Sequence, residues 1–208
     1  MVEHKAGGRL RHLIQVDNVL NPMLYNHIFD TLTSHNVSWN MTHNISTSDV
    51  SKHLKASGSA EQTVPMYGFG FNFFNINHGI MSRVDYEMFY PVLSNALHQA
   101  DIEMEMLLLG RAFLTLPPAR RPNAADGAHR DVDEPHMVCL YYVTDHENDP
   151  DASTIFFKSK DDLSVVHRQP AKANTAVIFD GSQYHMGGYP TKERRVIINF
   201  TFKPMERG

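Results

Sequence analysis

From about residue 103 onward the sequence is a succession of short aliphatic and aromatic runs separated by turn residues, and this rhythm constrains the fold more than any other feature. The runs cover 105–116, 137–144, 153–157, 163–167, 175–179, 184–186 and 195–202. They are short and rich in β-branched and aromatic residues, which favours strands over helices. Between them stand Pro117-Pro118, an acidic stretch at 145–151, Gln169-Pro170, Asp180-Gly181 and Gly187-Gly188-Tyr189-Pro190. These supply the turns. Seven or eight strands at such close spacing predict a sandwich or barrel.

The last run carries the sharpest pattern. Side chains alternate across a strand. Val196, Ile198, Phe200 and Phe202 therefore share one face, and Arg195, Ile197, Asn199 and Thr201 share the other. The first face is a core face, suited to packing under helices. The second places an arginine inside a barrel. A buried guanidinium needs an anion, and its planar fork matches a carboxylate. Parity favours Arg195 over its neighbour Arg194 for that role. An internal Asp or Glu partner is the competing explanation. Tyr142 shares a strand face with Val138, Leu140 and Thr144, where a phenol could reach the same anion or simply fill the core. Cys139 falls on the opposite face, in the core.

The first 102 residues read differently. Residues 11–20 suggest a strand and turn. Asn21-Pro22 then offers an N-cap and a first-turn proline, followed by an amphipathic helix over about 22–34 with Leu24, Ile28 and Leu32 on one face. Residues 44–63 are Ser-, Thr- and Lys-rich, a surface loop that could also serve as a lid. Residues 64–75 suggest an extended segment at a sheet edge. Ser82 is placed to cap a second helix burying Phe89, Val92, Leu93, Ala96 and Leu97, which Pro91 should kink or restart. The whole chain, 1–208, reads as one domain, with 1–102 as support and substrate loops and 103–208 as the β core.

Composition narrows the functional classes. The net charge of −4 supplies no basic field for a nucleic acid. No apolar run is long enough to span a membrane. A single cysteine and a first stretch without a secretory h-region predict a reducing, cytoplasmic setting.

The candidate chemistry starts at His129-Arg130-Asp131, an imidazole and a carboxylate two positions apart. On a strand both would leave one face. With 13 histidines and 23 acidic residues, about one such triplet is expected by chance, so the triplet gains weight only from its company. His185 follows, then the Arg194-Arg195 pair. Two histidines and a carboxylate form the facial set that holds non-haem Fe(II). Asp133, Glu134 and His136 crowd the triplet and read as loop residues. Arg130 points away from the metal face.

The blocks at 129–131, 135–144, 153–157, 177–181, His185 and 195–200 stand in an order that resembles the Fe(II)- and 2-oxoglutarate-dependent dioxygenases of the prolyl 4-hydroxylase-like group, including versions common in phage genomes. The resemblance implies a mainly β fold with flanking N-terminal helices: a double-stranded β-helix, or jelly-roll, cupin-like barrel. It implies that His129, Asp131 and His185 bind Fe(II). It also implies that Arg195, helped by Tyr142, holds the distal carboxylate of 2-oxoglutarate, and that Asn199 touches this cosubstrate. O2 is then consumed and a C–H bond hydroxylated, with release of succinate and CO2.

This sequence departs from the group's pattern at several points. Ala152-Ser153 and Asn174 replace turn glycines, and Asn174 tolerates a left-handed turn. Thr115-Leu116 stands where a Tyr or Gln is usual. The arginine follows His185 by ten positions where nine is common, which keeps Arg194 as an alternative to Arg195. The expected substrate is a prolyl or other peptide residue, with a nucleobase or small metabolite as alternatives. Residues 44–80 and 117–128 are expected to choose among them. A cupin-like barrel that binds metal without 2-oxoglutarate is the competing function.

Overall fold

The computed structural model describes residues 13–35, 37–42, 68–119 and 127–205, and in it the alternating runs become strands. In chain order the elements are β1 (Ile14–Asp17), α1 (Pro22–Thr33), β2 (Asn40–Thr42), β3 (Gly68–Asn75), β4 (Gly79–Ile80), α2 (Arg83–Gln99), β5 (Met104–Thr115), β6 (Met137–Tyr142), β7 (Thr154–Phe157), β8 (Val165–Gln169), β9 (Thr175–Asp180), β10 (His185–Gly187) and β11 (Arg195–Pro204). The larger sheet runs β1-β9-β6-β11-β5-β3-β2, with β4 added to β3, and the smaller runs β10-β7-β8. Every pairing is antiparallel.

The parity of β11 organises both layers. Val196, Ile198, Phe200 and Phe202 are fully buried against Ile28 and Leu32 of α1 and Phe89, Val92 and Leu93 of α2. Each such side chain contributes about 1.5–3 kcal/mol by leaving water. On the other face Ile197 joins Val138, Leu140, Tyr142, Val177 and Phe179, which meet Phe156 of the small sheet. Two sheets face to face with helices backing the larger one make the expected double-stranded β-helix. Cys139 is buried on the helix side, as its parity predicts.

The helix starts follow the sequence. The Asn21 side chain accepts from Leu24 N at 3.0 Å, and Ser82 accepts from Asp85 N at 3.4 Å. Pro91 does not break α2, which runs on through it. The proline removes one backbone hydrogen bond, to the carbonyl of Glu87, whose side chain lies on the exposed flank. β3 is not the edge strand expected from its sequence. It pairs with β5 on one side and with β2 on the other. Three residues of β2 gave too little pattern to read. The 44–63 stretch lies outside the described residues, as do 120–126. Among the described residues no helix is long and apolar enough to cross a membrane.

Two turns flank the sheets, one entering β9 of the larger and one leaving β10 of the smaller. Asn174 has φ 54°, the left-handed turn anticipated for it. A glycine would adopt that turn too, but the Asn174 side chain also bonds Leu20 N and O at 3.0 and 2.9 Å and accepts from Tyr141 Oη at 3.0 Å. Gly188, just past β10, packs its Cα against backbone. A Cβ there would run into the carbonyl oxygens of Asp151 and Ser153, and backbone cannot swing aside as a side chain can. Gly188→Ala is expected to cost about 2–4 kcal/mol, read as a lowered urea midpoint with an unchanged slope.

Candidate metal and cosubstrate site

His129 and His185 are brought together by backbone. Each amide donates to the other's carbonyl, at 2.9 and 3.1 Å, in an isolated antiparallel bridge. The rings sit 4.8 Å apart between centroids. Asp131 follows His129 in a bend, so no strand spans the triplet. The expected common face is reached by this bridge-and-bend route. Asp131 Oδ1 lies 4.0 Å from His129 Nε2, and Oδ2 lies 3.7 Å from His185 Nε2. The three potential ligand atoms are all within 4.8 Å of one another.

The hydrogen bonds at the far nitrogens set the tautomers. His129 Nδ1 contacts Gly127 O at 2.8 Å, and His185 Nδ1 contacts Gln183 O at 3.1 Å. A carbonyl oxygen only accepts, so each Nδ1 carries the proton and each Nε2 lone pair is free toward Asp131. Phe156 and Phe179 enclose His185, the latter edge-on at 4.9 Å.

Burial shifts the charges in opposite ways. It pushes the His185 imidazole down to about 4, helped by His129 and opposed by Asp131. Burial alone would raise the Asp131 carboxyl, but Arg111, His185 and His129 together hold it below the ordinary carboxylate value. At neutral pH His185 is therefore a neutral imidazole beside an ionised Asp131.

A pH dependence follows for chelator-treated protein. His185 binds its proton more weakly when folded than when unfolded. Its effect on stability is therefore absent above pH 6.5 and grows as pH falls toward about 4, to about 3 kcal/mol. Asp131 adds its own loss at still lower pH. Urea unfolding from pH 7.5 to 4 should show a steeper decline in the parent than in His185→Gln.

These residues line a cavity of about 120 Å³ that also takes in Arg195, Thr154, Asn199 and Arg111. Arg195 is 2 % exposed. Its Nη2 donates to Thr154 Oγ1 at 3.0 Å, its Nε is buried without a hydrogen-bond partner, and no described carboxylate forms an ion pair with it. Burial pulls its guanidinium below the ordinary value, against the pull of Tyr142 and Tyr189. The Tyr142 ring lies 5.6 Å from that guanidinium, and its hydroxyl donates to the same Thr154 oxygen at 2.8 Å. Tyr142 thus meets the cavity through Thr154, a residue to which the sequence reading assigned no role.

The other sequence-level candidates fall as follows. Arg194 faces away and donates to Thr33 O at 2.6 Å. Asn199 lines the cavity, and its amide donates to Asp131 Oδ2 at 3.4 Å. Arg130 reaches Asp133 at 3.2 Å and lies over Tyr184, at the cavity's border. Glu134 pairs with Lys203 at 3.3 Å, and His136 packs on Gly181. None of Asp133, Glu134 and His136 joins the ligand cluster.

One residue at the centre of the site was not anticipated. Arg111 of β5 makes a short ion pair with Asp131 Oδ1. The signal was present in the sequence: Arg111, Phe113 and Thr115 share a strand face, and all three line the cavity. The parity argument made for Arg195 on β11 applies equally to β5.

No family model matches the sequence, and no curated protein matches it. Solved structures do. An oxidoreductase of the 2OG-Fe(II) oxygenase family from Burkholderia pseudomallei is 6 % identical with a TM-score of 0.59, over 92 % of this chain and 84 % of that one. A prolyl hydroxylase from Trichoplax adhaerens, solved with a hypoxia inducible factor peptide fragment, is 11 % identical with a TM-score of 0.54, over 92 % and 83 %. A viral collagen prolyl hydroxylase from Paramecium Bursaria Chlorella virus-1, solved with 2OG, is 10 % identical with a TM-score of 0.52, over 94 % and 97 %. The chain therefore has the fold of the Fe(II)/2-oxoglutarate oxygenases, prolyl hydroxylases among them. At these identities the likeness is one of fold.

Proposed function

We propose that this chain is an Fe(II)- and 2-oxoglutarate-dependent oxygenase. His129, Asp131 and His185 are its metal ligands. Arg195 is its receptor for the distal carboxylate of 2-oxoglutarate, with Thr154 and Tyr142 behind it and Asn199 beside the metal. The donor set fits the metal: two imidazole Nε2 atoms and one carboxylate, the facial set of non-haem Fe(II) sites. The observation that carries the cosubstrate is Arg195. A fully buried cation without a described acidic partner is costly unless an anion completes it, and it shares one cavity with the ligand cluster. A metal-binding barrel of another function leaves that arginine without a purpose.

Bound Fe(II) supplies the oxidative chemistry, in which substrate C–H, 2-oxoglutarate and O2 become C–OH, succinate and CO2. The chain's own residues do the rest. The Nδ1–H bonds to Gly127 and Gln183 hold both imidazoles with Nε2 inward. Arg195 and Thr154 offer donors to the far carboxylate and so orient the cosubstrate along the cavity. Phe156 and Phe179 keep water from His185.

Titrating oxygen-free protein with Fe(II) and 2-oxoglutarate tests this reading. A weak visible charge-transfer band should appear only when both are present, and O2 should then yield succinate. A folded protein with neither band nor succinate would falsify the assignment.

For the substrate we favour a prolyl or other peptide residue. Support comes from the fold it shares with two prolyl hydroxylases, one of them holding a peptide fragment. The net charge of −4 counts against nucleic acid. Succinate release across peptide, nucleotide and metabolite pools decides it, and stimulation by peptides alone is the expected result. For the setting we favour a reducing, cytoplasmic one, on the single cysteine of the sequence, which has no second cysteine in this chain to pair with.

A further inference from the structure

Asp131 is the member of the candidate triad that no backbone pairing among the described residues holds. His129 and His185 are locked by their mutual bridge, whereas Asp131 sits in the bend that follows. What restrains its carboxylate comes from two strands of the large sheet. Arg111 of β5 and Asn199 of β11 are direct cross-strand partners. Arg111 Nη2 pairs with Oδ1, and Asn199 Nδ2 donates to Oδ2 at 3.4 Å. One residue from each strand therefore grips one oxygen each.

Arg111 is itself positioned for this. Its guanidinium lies 5.3 Å from the Phe113 ring centre. Its Nε is buried without a hydrogen-bond partner. The Phe113 ring and the Asp131 contact are what locate the head group. The two grips differ in strength, because a charged donor at close range holds a carboxylate far more firmly than a neutral amide at 3.4 Å. Oδ1 is committed to Arg111, while Oδ2, facing His185 Nε2 at 3.7 Å, keeps its lone pairs largely free.

We infer that Arg111 and Asn199 form a clamp that orients Asp131 so that it offers a single oxygen, Oδ2, to the metal, with Arg111 the dominant positioning residue. The inference rests on the metal site proposed above. Its physical basis is that a carboxylate on a bend has rotational freedom which metal binding must remove. Strand-borne donors remove it in advance. Arg111 also brings a positive charge toward a dication, which opposes binding. The clamp requires that orientation outweigh this repulsion, so removing Arg111 should weaken metal binding.

The test is Mn(II) affinity by calorimetry together with the visible absorption of the Co(II)-loaded protein, for the parent, Arg111→Met, Arg111→Lys and Asn199→Leu. Arg111→Met is expected to lose roughly 10–100-fold in Mn(II) affinity, the usual cost of an outer-shell partner. Its Co(II) bands should shift, because a freed carboxylate can bind through both oxygens. Arg111→Lys, which keeps the charge but not the planar fork, should recover part of the affinity. Asn199→Leu should lose less than Arg111→Met. Parent-like affinity and spectrum in Arg111→Met, or tighter binding, overturn the clamp while leaving the metal site standing. If Arg111→Met fails to fold, parent-like values in both Arg111→Lys and Asn199→Leu overturn it. A parent that binds neither ion overturns the metal site and the clamp together.

Discussion

Exchanging Arg195 for methionine should weaken 2-oxoglutarate binding by roughly two orders of magnitude or more and leave the protein at least as stable as before. The two halves of this expectation have one cause. Arg195 is buried and has no described carboxylate to pair with, so the unliganded fold carries the cost of a desolvated cation. An apolar side chain of similar length relieves that cost, and such exchanges are commonly neutral or stabilising by about 1–4 kcal/mol. In the proposed reading 2-oxoglutarate, in contrast, loses its charge-assisted bonds to a buried guanidinium. Truncating one partner of such a pair costs about 2–5 kcal/mol, or roughly 30- to 5000-fold in affinity. Thermal unfolding and calorimetric titration with 2-oxoglutarate measure the two effects separately, with Fe(II) binding as the control. A strongly destabilised Arg195→Met protein would show that the arginine serves the fold, and the cosubstrate assignment would lose its main support.

The second large effect is expected at His129. His129→Ala removes one imidazole of the triad while leaving its backbone bridge to His185 in place, since that bridge uses only main-chain atoms. The ring is partly exposed, so its loss opens no sealed cavity. The protein should fold normally and lose Fe(II) affinity by more than about 100-fold, beyond what an outer-shell partner costs. Asp131→Ala should lose the metal as well, but it also strips Arg111 of its counter-charge and should unfold more easily. Iron retained after desalting and the urea midpoint distinguish the two variants. Normal iron retention by His129→Ala would remove that residue from the ligand set.

Much of this molecule could be read before its structure was known, where the information is local. Apolar alternation on β11 follows from the pleat alone, and the structure places its two faces as parity demands. Capping by Asn21 and Ser82 is likewise a property of a few consecutive residues. Local sequence carries no signal where the governing contact is distant. β2 has three residues and owes its existence to the edge of β3. Pro91 is tolerated because α2 is held by the sheet beneath it. Thr154 looked like one more β-branched strand residue, yet both Tyr142 and Arg195 donate to its hydroxyl.

His129-Arg130-Asp131 shows the same division. By itself the sequence determined which residue types were available and on which strand faces the long-range partners could lie. That was enough to set Arg195 inside the barrel and Cys139 outside it. It could not determine that the triplet is a bridge and a bend rather than a strand. Nor could it show that Arg111, twenty positions upstream, grips the carboxylate. Those depend on register, on β11 setting Asn199 opposite Arg111 and on His185 pairing with His129 across 55 intervening positions. Side-chain periodicity belongs to each strand separately. Which residues meet is decided only when strands pair, because hydrogen-bonded register, not chain order, sets the distance between them.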